Sequence, residues 1–341
     1  MTEILRDGAP LGGGYGPKVW KHFALLAAGA FFGMLGLLLL IILFIDPYDS
    51  GRFPSLGIKG ASLFFQRYAN AGLARSENFN AAIFGNSHAQ LIDPARLSRA
   101  TGLKFVQLAT PGANPLELLA TMRWFVTHHR DISAVVLGFE ERWCIPDQVA
   151  PTRTAFPFWL YGDSNLVYAA NMLSTRTIRD SVDRVMFALG RQPAPRQDGY
   201  EDYELGRVRN FHPAETFSPR DEKSRPSFAE LSKRAPEYRF AAITLLDDIL
   251  HSLSQQTRVV VVMPPQYASR ISDDDGLLDQ GINACKLEFW RRTRPRGAFL
   301  DFLVHSRITR DAENFWDDEH YTSNVARVIE GRIAGTLNAQ Q

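Results

Sequence analysis

The 341-residue chain carries 38 Lys and Arg against 37 Asp and Glu, for a net charge of +1, and 45% of its residues are hydrophobic. That composition excludes a disordered polyelectrolyte, and it gives no basic footprint for nucleic acid, so no nucleic-acid partner is expected. Its two cysteines, Cys144 and Cys285, stand far apart with no CxxC spacing; no structural metal site is expected, and the residues leave open one disulfide or two buried thiols.

Residues 1–22 read as a cytoplasmic tail containing the glycine-rich DGAPLGGGYGP. From Phe23 to Ile45 follow 23 residues without a charge, FALLAAGAFFGMLGLLLLIILFI. As a helix this stretch is about 34 Å long, enough to cross a hydrocarbon core of about 30 Å. It is longer than the apolar part of a signal peptide, about 7–15 residues. It also runs into Asp46-Pro47-Tyr48 with no small-residue cleavage pattern. The reading is an uncleaved single-pass anchor, with the lipid bilayer as its partner. Arg6, Lys18 and Lys21 precede it and Asp46 and Asp49 follow, which keeps the N-terminus cytoplasmic. Residues 46–341 are then extracytoplasmic, in the periplasm if the host membrane is a Gram-negative inner membrane.

Residues 46–75 are a juxtamembrane connector with a short helix expected in ASLFFQRYANAGLA. Beyond it, short apolar runs predict strands at 79–86, 103–108, 133–139, 258–263 and 298–303. Helical periodicity is read at 94–101, 115–130, 238–256, 277–294 and 323–338. Asn114-Pro115 opens the second of these as cap and first helical residue. Strand alternating with helix implies right-handed crossovers and, for residues 76–341, a three-layer α/β/α sandwich on a mostly parallel sheet. Residues 142–236, dense in Pro, Arg, Asp and Glu, form a long insertion expected to be partly irregular and exposed.

Open α/β sheets place their sites at the carboxyl ends of strands. Ser87 in IFGNSH ends the first strand, Gly112 in ATPGANP follows the second, and Glu140 in GFEERW follows the third. Near the C-terminus, DDEHY places Asp317 three residues before His320. Serine, histidine and aspartate together supply a nucleophile, its base and the group that orients the base. Asp318 rivals Asp317 for the last role. Taken singly, Ser87 also reads as a turn or cap residue, and the carboxylates as helix-start charges.

These blocks resemble the SGNH (GDSL-like) hydrolase and acyltransferase superfamily, whose first block is matched by IFGNSH and whose last, Asp-x-x-His, by Asp317 and His320. With the N-terminal anchor, they look most like membrane-tethered members that O-acetylate exopolysaccharides, such as alginate acetylation proteins. The resemblance implies a flavodoxin-like sheet, Ser87, His320 and Asp317 as the catalytic set, and an oxyanion hole from the Ser87 N–H and Gly112. It implies a sugar hydroxyl on an exported or cell-envelope polysaccharide as acceptor, and a multispanning membrane acyltransferase as supplier of acyl groups. No cofactor is expected. The third block departs from the pattern, with Glu140 where an oxyanion-donating asparagine is expected; Asn114 or Asn86 is then the substitute donor. A deacylating esterase and a degenerate carbohydrate-binding scaffold are the alternative readings.

Asn86, His88, Glu140 and Trp316 are expected around the site rim. His128-His129 read as a helix C-terminus, and SDDDG at 272–276 as a helix cap. Trp143, Phe156, Phe158, Trp159 and Trp316 serve either as a sugar-stacking surface or as packing.

Overall fold

Five of the apolar runs become the five strands of one parallel sheet in the computed structural model, which describes residues 17–144, 154–205, 211–212, 240–271 and 277–339. The strands are β1 (Ala81–Phe84), β2 (Phe105–Gln107), β3 (Ala134–Gly138), β4 (Arg258–Met263) and β5 (Gly297–Asp301), in the order β2-β1-β3-β4-β5. Every pairing is parallel, with Ile83 opposite Gln107 and Phe84 opposite Leu137. β1 is shorter than its apolar run at both ends. Asn80 accepts the Lys104 N–H at 2.8 Å, and Gly85 has already turned, with φ +156°.

The helices are α1 (Pro17–Ile45), α2 (Gln66–Leu73), α3 (Pro94–Thr101), α4 (Pro115–His128), α5 (Asn165–Asn171), α6 (Thr175–Ala188), α7 (Ala241–Ser252), α8 (Leu277–Thr293), α9 (Arg307–Arg310) and α10 (Ser323–Asn338). α3 and α4 start as their sequences require. Asp93 and Asn114 accept backbone N–H groups of the first turn, and Pro94 and Pro115 occupy the first helical position. α4 stops two residues before its expected end, because His129 is extended and its Nδ1 is bonded to Phe125 O at 2.9 Å.

Alternation along the strands divides the core in two. Ala82, Phe84, Val135, Leu137, Val259 and Val261 pack with Leu118 and Met122 of α4 and Ile243 and Leu246 of α7. Ala81, Ile83, Ala134, Val136, Val260 and Val262 pack with Leu97 of α3 and Val325, Ile329 and Ile333 of α10. A strand buried on both faces must be apolar at every position, which is why these runs show no polar alternation. Each Val, Ile, Leu, Met or Phe side chain so withdrawn from water contributes about 1.5–3 kcal/mol, and each Ala less.

α1 is 29 residues long and begins six residues before the apolar stretch, at Pro17. It is long and apolar enough to cross a membrane. Its last turns are not free of the rest of the protein, since Ile42 is buried in the same core as Phe84. The connector joins that core too. Asp46 accepts the Ser50 and Gly51 N–H groups at 2.9 and 2.8 Å, Tyr48 is buried, and Trp124 Nε1 donates to Ala71 O at 2.9 Å.

The described part of the insertion carries α5 and α6 and buries Tyr168, Arg184, Trp143, Leu160 and Met172, while most of its other described residues are exposed or half-buried. Cys144 and Cys285 are joined as a disulfide that ties the segment after β3 to α8. The expected cap at 272–276 and residues 1–16 lie outside the described residues.

Candidate active site

The turn that carries Ser87 is built on a glycine. At Gly85 a Cβ would meet Ala89 Cβ at 2.5 Å and stand 3.4 Å from Gly138 Cα. With φ +156° as well, only glycine lets β1 turn this tightly over the end of β3. Asn86 then caps a single 3-10 turn, Ser87–Ala89, its Oδ1 accepting the His88 N–H at 3.0 Å. Capping is therefore done by Asn86, and the Ser87 hydroxyl is left for another partner.

That partner is His320, whose Nε2 lies 2.9 Å from Ser87 Oγ across 233 positions of sequence. The segment carrying it folds on itself through a bridge between Phe315 and Tyr321 and a 2.7 Å bond from Trp316 N–H to His320 O. Asp317 Oδ1 accepts the Glu319 and His320 N–H groups at 2.8 and 2.6 Å, which aims the carboxylate. Both of its oxygens reach His320 Nδ1, at 3.0 and 2.9 Å. An ionised carboxylate only accepts, so Nδ1 carries the proton and Nε2 is left to accept from the Ser87 hydroxyl. Asp318 turns elsewhere, to Arg270 Nε at 3.1 Å, and Arg270 also pairs with Glu319.

The two loops are brought together by the helices that follow them. Glu330 of α10 takes Arg96 of α3 in a two-pronged bond, at 2.5 and 2.8 Å, and accepts the Asp93 N–H at 2.7 Å. Tyr321 adds a hydrogen bond from its hydroxyl to His88 O. The turns carrying Ser87 and His320 thus precede two helices pinned to each other.

Asn86, the cap of the turn, and His88, its middle residue, both expected on the rim, are buried. The His88 ring centroid is 5.1 Å from that of His320, and His88 Nδ1 is 3.7 Å from Glu140 Oε2. Asn86 Nδ2 donates to the same Glu140 oxygen. Burial pushes the His88 imidazole down to about 3, with the neighbouring His320 charge acting in the same direction, so His88 is neutral. Burial raises the Glu140 carboxyl to about 7 against the lowering effects of Arg142 and the Asn86 bond. For Asp317, burial opposes the charge, but the hydrogen bond and charge of His320 outweigh it and hold the carboxyl below its ordinary value.

Gly112, expected to help bind an oxyanion, sits in the turn after β2 with φ +66°. Two residues earlier, Thr110 N–H bonds Gly85 O at 2.8 Å. Asn114 uses its side-chain oxygen to accept the Glu117 N–H at 3.0 Å, as the cap of α4. Asn86, the other substitute donor considered, has its amide directed to Glu140. Among the described residues, the Ser87 N–H donates to no protein acceptor.

No protein-family model and no curated protein matches the chain. The local geometry is what speaks for a site: a hydroxyl, an imidazole and a carboxylate in hydrogen-bonded series at the carboxyl end of β1, beside the strand-order reversal between β1 and β3. Open α/β sheets hold ligands at such a reversal. The arrangement can deprotonate an alcohol and stabilise the imidazolium that results.

Of the five aromatic residues considered for stacking, Trp143 and Phe156 are buried in the core and Trp159 packs on Tyr48 and Tyr168 beside the connector. Trp316 flanks the triad, and its Nε1 donates to Glu204. Sequence reasoning missed Tyr203 and Glu204. Tyr203 sets its ring edge toward His320 at 6.4 Å and donates to Tyr321 O at 3.2 Å, while Glu204 also accepts the Ser323 N–H at 2.9 Å. Both stand in a polar, aperiodic stretch that carries no motif.

Proposed function

We propose that the chain is a membrane-anchored, extracytoplasmic serine O-acyltransferase of the SGNH type, which O-acetylates an exported or cell-envelope polysaccharide. The observation that carries this reading is the Ser87–His320–Asp317 series, with the serine at the end of β1 and the Asp-x-x-His just before the last helix. The strand order and the two cores support a three-layer, flavodoxin-like sandwich of the same type. Lys18 and Lys21 before the apolar stretch and Asp46 after it favour an outside location. The Cys144–Cys285 bond favours it as well, because disulfides persist in oxidising compartments.

In this mechanism His320 Nε2 removes the Ser87 proton as Oγ bonds to the carbonyl carbon of an acyl donor. The Ser87 N–H and Gly112 hold the oxyanion of the tetrahedral intermediate. Collapse breaks the bond to the leaving group, which takes the proton from His320. A sugar hydroxyl then gives its proton to His320 and attacks the acyl-serine, forming the new ester and restoring Ser87. Asp317 keeps the imidazole in the Nδ1–H tautomer throughout. Acyl donors of the cytoplasm do not reach this side, and the resemblance to membrane-tethered acetylation proteins implies a multispanning acyltransferase as the supplier of acyl groups.

A second reading is favoured by one observation. Glu140 replaces an oxyanion-donating asparagine and draws the Asn86 amide toward itself, which weakens the hole and fits a sugar-binding scaffold. Turnover decides between them. The full-length chain in detergent is expected to release acetate from an aryl acetate, and Ser87→Ala to abolish it. A saccharide acceptor diverts acetyl from water to the sugar if the enzyme is a transferase, and leaves hydrolysis unchanged if it is an esterase. Equal, background rates for both proteins contradict catalysis.

A further inference from the structure

The amphipathicity of α6 is inverted. Its side facing the protein is polar: Thr177, Asp180, Ser181 and Arg184 are all at most 5% exposed. Asp180 and Thr177 bond the Tyr48 hydroxyl at 3.0 and 3.2 Å. Arg184 donates to Ser62 Oγ at 3.3 Å and to the carbonyls of Ile58 and Gly60. Its outward side carries Ile178, Val182 and, just past the last turn, Leu189, at 41, 57 and 60% exposure. Helices at a water-facing surface do the reverse, burying their apolar stripe and exposing the polar one. An outward apolar stripe opposite a polar face bonded into the protein implies an apolar surrounding.

The position of α6 says which surrounding that is. Its outward stripe meets the last turns of α1, and the two helices enclose a groove of about 260 Å³ whose α1 wall is Leu38, Ile41, Ile42 and Ile45. If Phe23 marks the cytoplasmic boundary, a hydrocarbon core of about 30 Å is crossed in about 20 residues, ending near Ile42. The groove then lies at the outer edge of the hydrocarbon. Arg179, beside the stripe, and Arg191, just beyond the helix, are exposed, and cations so placed favour phosphate headgroups.

We propose that α6 is a second membrane element, lying in the outer interface with Ile178, Val182 and Leu189 among lipid, and that its groove with α1 takes a phospholipid acyl chain. The domain is thereby held at a set distance and orientation above the bilayer. The inference rests on α1 being a membrane span, and is independent of the chemistry at Ser87.

The test places a nitroxide on the full-length chain in phosphatidylcholine–phosphatidylglycerol vesicles and compares accessibility to oxygen with that to a nickel chelate. Cys144 and Cys285 are bonded to each other, so an introduced cysteine is the thiol that labels. Three sites are read: Val182→Cys, Leu40→Cys on α1, and Val328→Cys, an exposed valine of α10 packed on the other sheet face. Ile178→Cys repeats the α6 reading should Val182→Cys fold poorly. Oxygen accessibility several-fold above nickel at Val182 and Leu40, with the reverse at Val328, is the expected result. A Val182 label that follows Val328 while Leu40 stays in lipid overturns the inference and leaves the anchor standing. A Val182 label shielded from both reagents also overturns it, since that signature belongs to a second copy or a partner helix. Nickel reaching Leu40 removes the anchor and this inference together.

Discussion

Beside Ser87 lies a group of polar side chains outside the Ser87–His320–Asp317 series. Glu140 accepts from Asn86, His88 borders both Glu140 and His320, and two buried atoms, His88 Nε2 and Glu140 Oε1, have no hydrogen-bond partner among the described residues. Because the folded chain holds the Glu140 proton up to about 7, against an ordinary 4.5, it binds that proton more tightly than the unfolded chain does. The associated stability is present below the ordinary value and is lost as pH rises through 7. Glu140→Gln keeps an acceptor for Asn86 but cannot ionise. Its melting temperature relative to the parent is therefore expected to rise between about pH 5 and pH 8, read by thermal unfolding across that range. His88 titrates lower, near 3, and is shared by both proteins. A difference that stays flat with pH would show that Glu140 is already ionised.

At the scale of elements, the site depends on how closely the chain approaches itself at Gly85. Gly85→Ala is expected to cost about 1–3 kcal/mol in denaturant unfolding, since the new methyl must displace Ala89 or the neighbouring Gly138 backbone. Local chemistry made most elements legible. α3 at 94–101 and α10 at 323–338 have the bounds that periodicity predicts, and β4 spans 258–263 as read. Pro at the first helical position, capping Asp and Asn, and uninterrupted apolar runs act within a few residues, so they leave a sequence signature. The partnership of Ser87 with His320 was legible only because both lie in short recognisable blocks. The parts that were not legible rest on long-range polar contacts. Nothing near Tyr203 or Glu204 marks them as neighbours of Trp316 and Tyr321. α6 carries an ordinary apolar period at Ile178, Val182, Val185 and Met186, but it lies within the Pro- and charge-rich stretch read as an insertion, and the direction that stripe faces leaves no mark in the sequence.

Across the whole molecule, anchor, connector and sheet form a continuous structure. Ile42 of the anchor and Tyr48 of the connector share a core with β1 and α4. A tether of free chain would let the sheet move independently of α1, whereas this packing fixes the sheet relative to the end of α1. The disulfide acts at the same scale. It closes a loop of 141 residues that includes β4 and α7, and fastens the segment after Glu140 to α8. Removing it with Cys144→Ala and Cys285→Ala together is expected to lower unfolding free energy by about 2–4 kcal/mol. The same change should leave the Ser87–His320 hydrogen bond in place, so activity per folded molecule is expected to survive. Loss of activity at full folding would instead tie the segment after β3 to catalysis.

The role proposed for His320 is to make an ordinary hydroxyl at Ser87 nucleophilic. Treatment of the full-length protein with an organophosphonate, followed by peptide mass spectrometry, tests it most directly. The account predicts one covalent adduct, on the peptide carrying Ser87, strongly reduced in His320→Ala and in Asp317→Asn. An unlabelled Ser87 in the folded parent protein, or labelling unaffected by loss of His320, would contradict it.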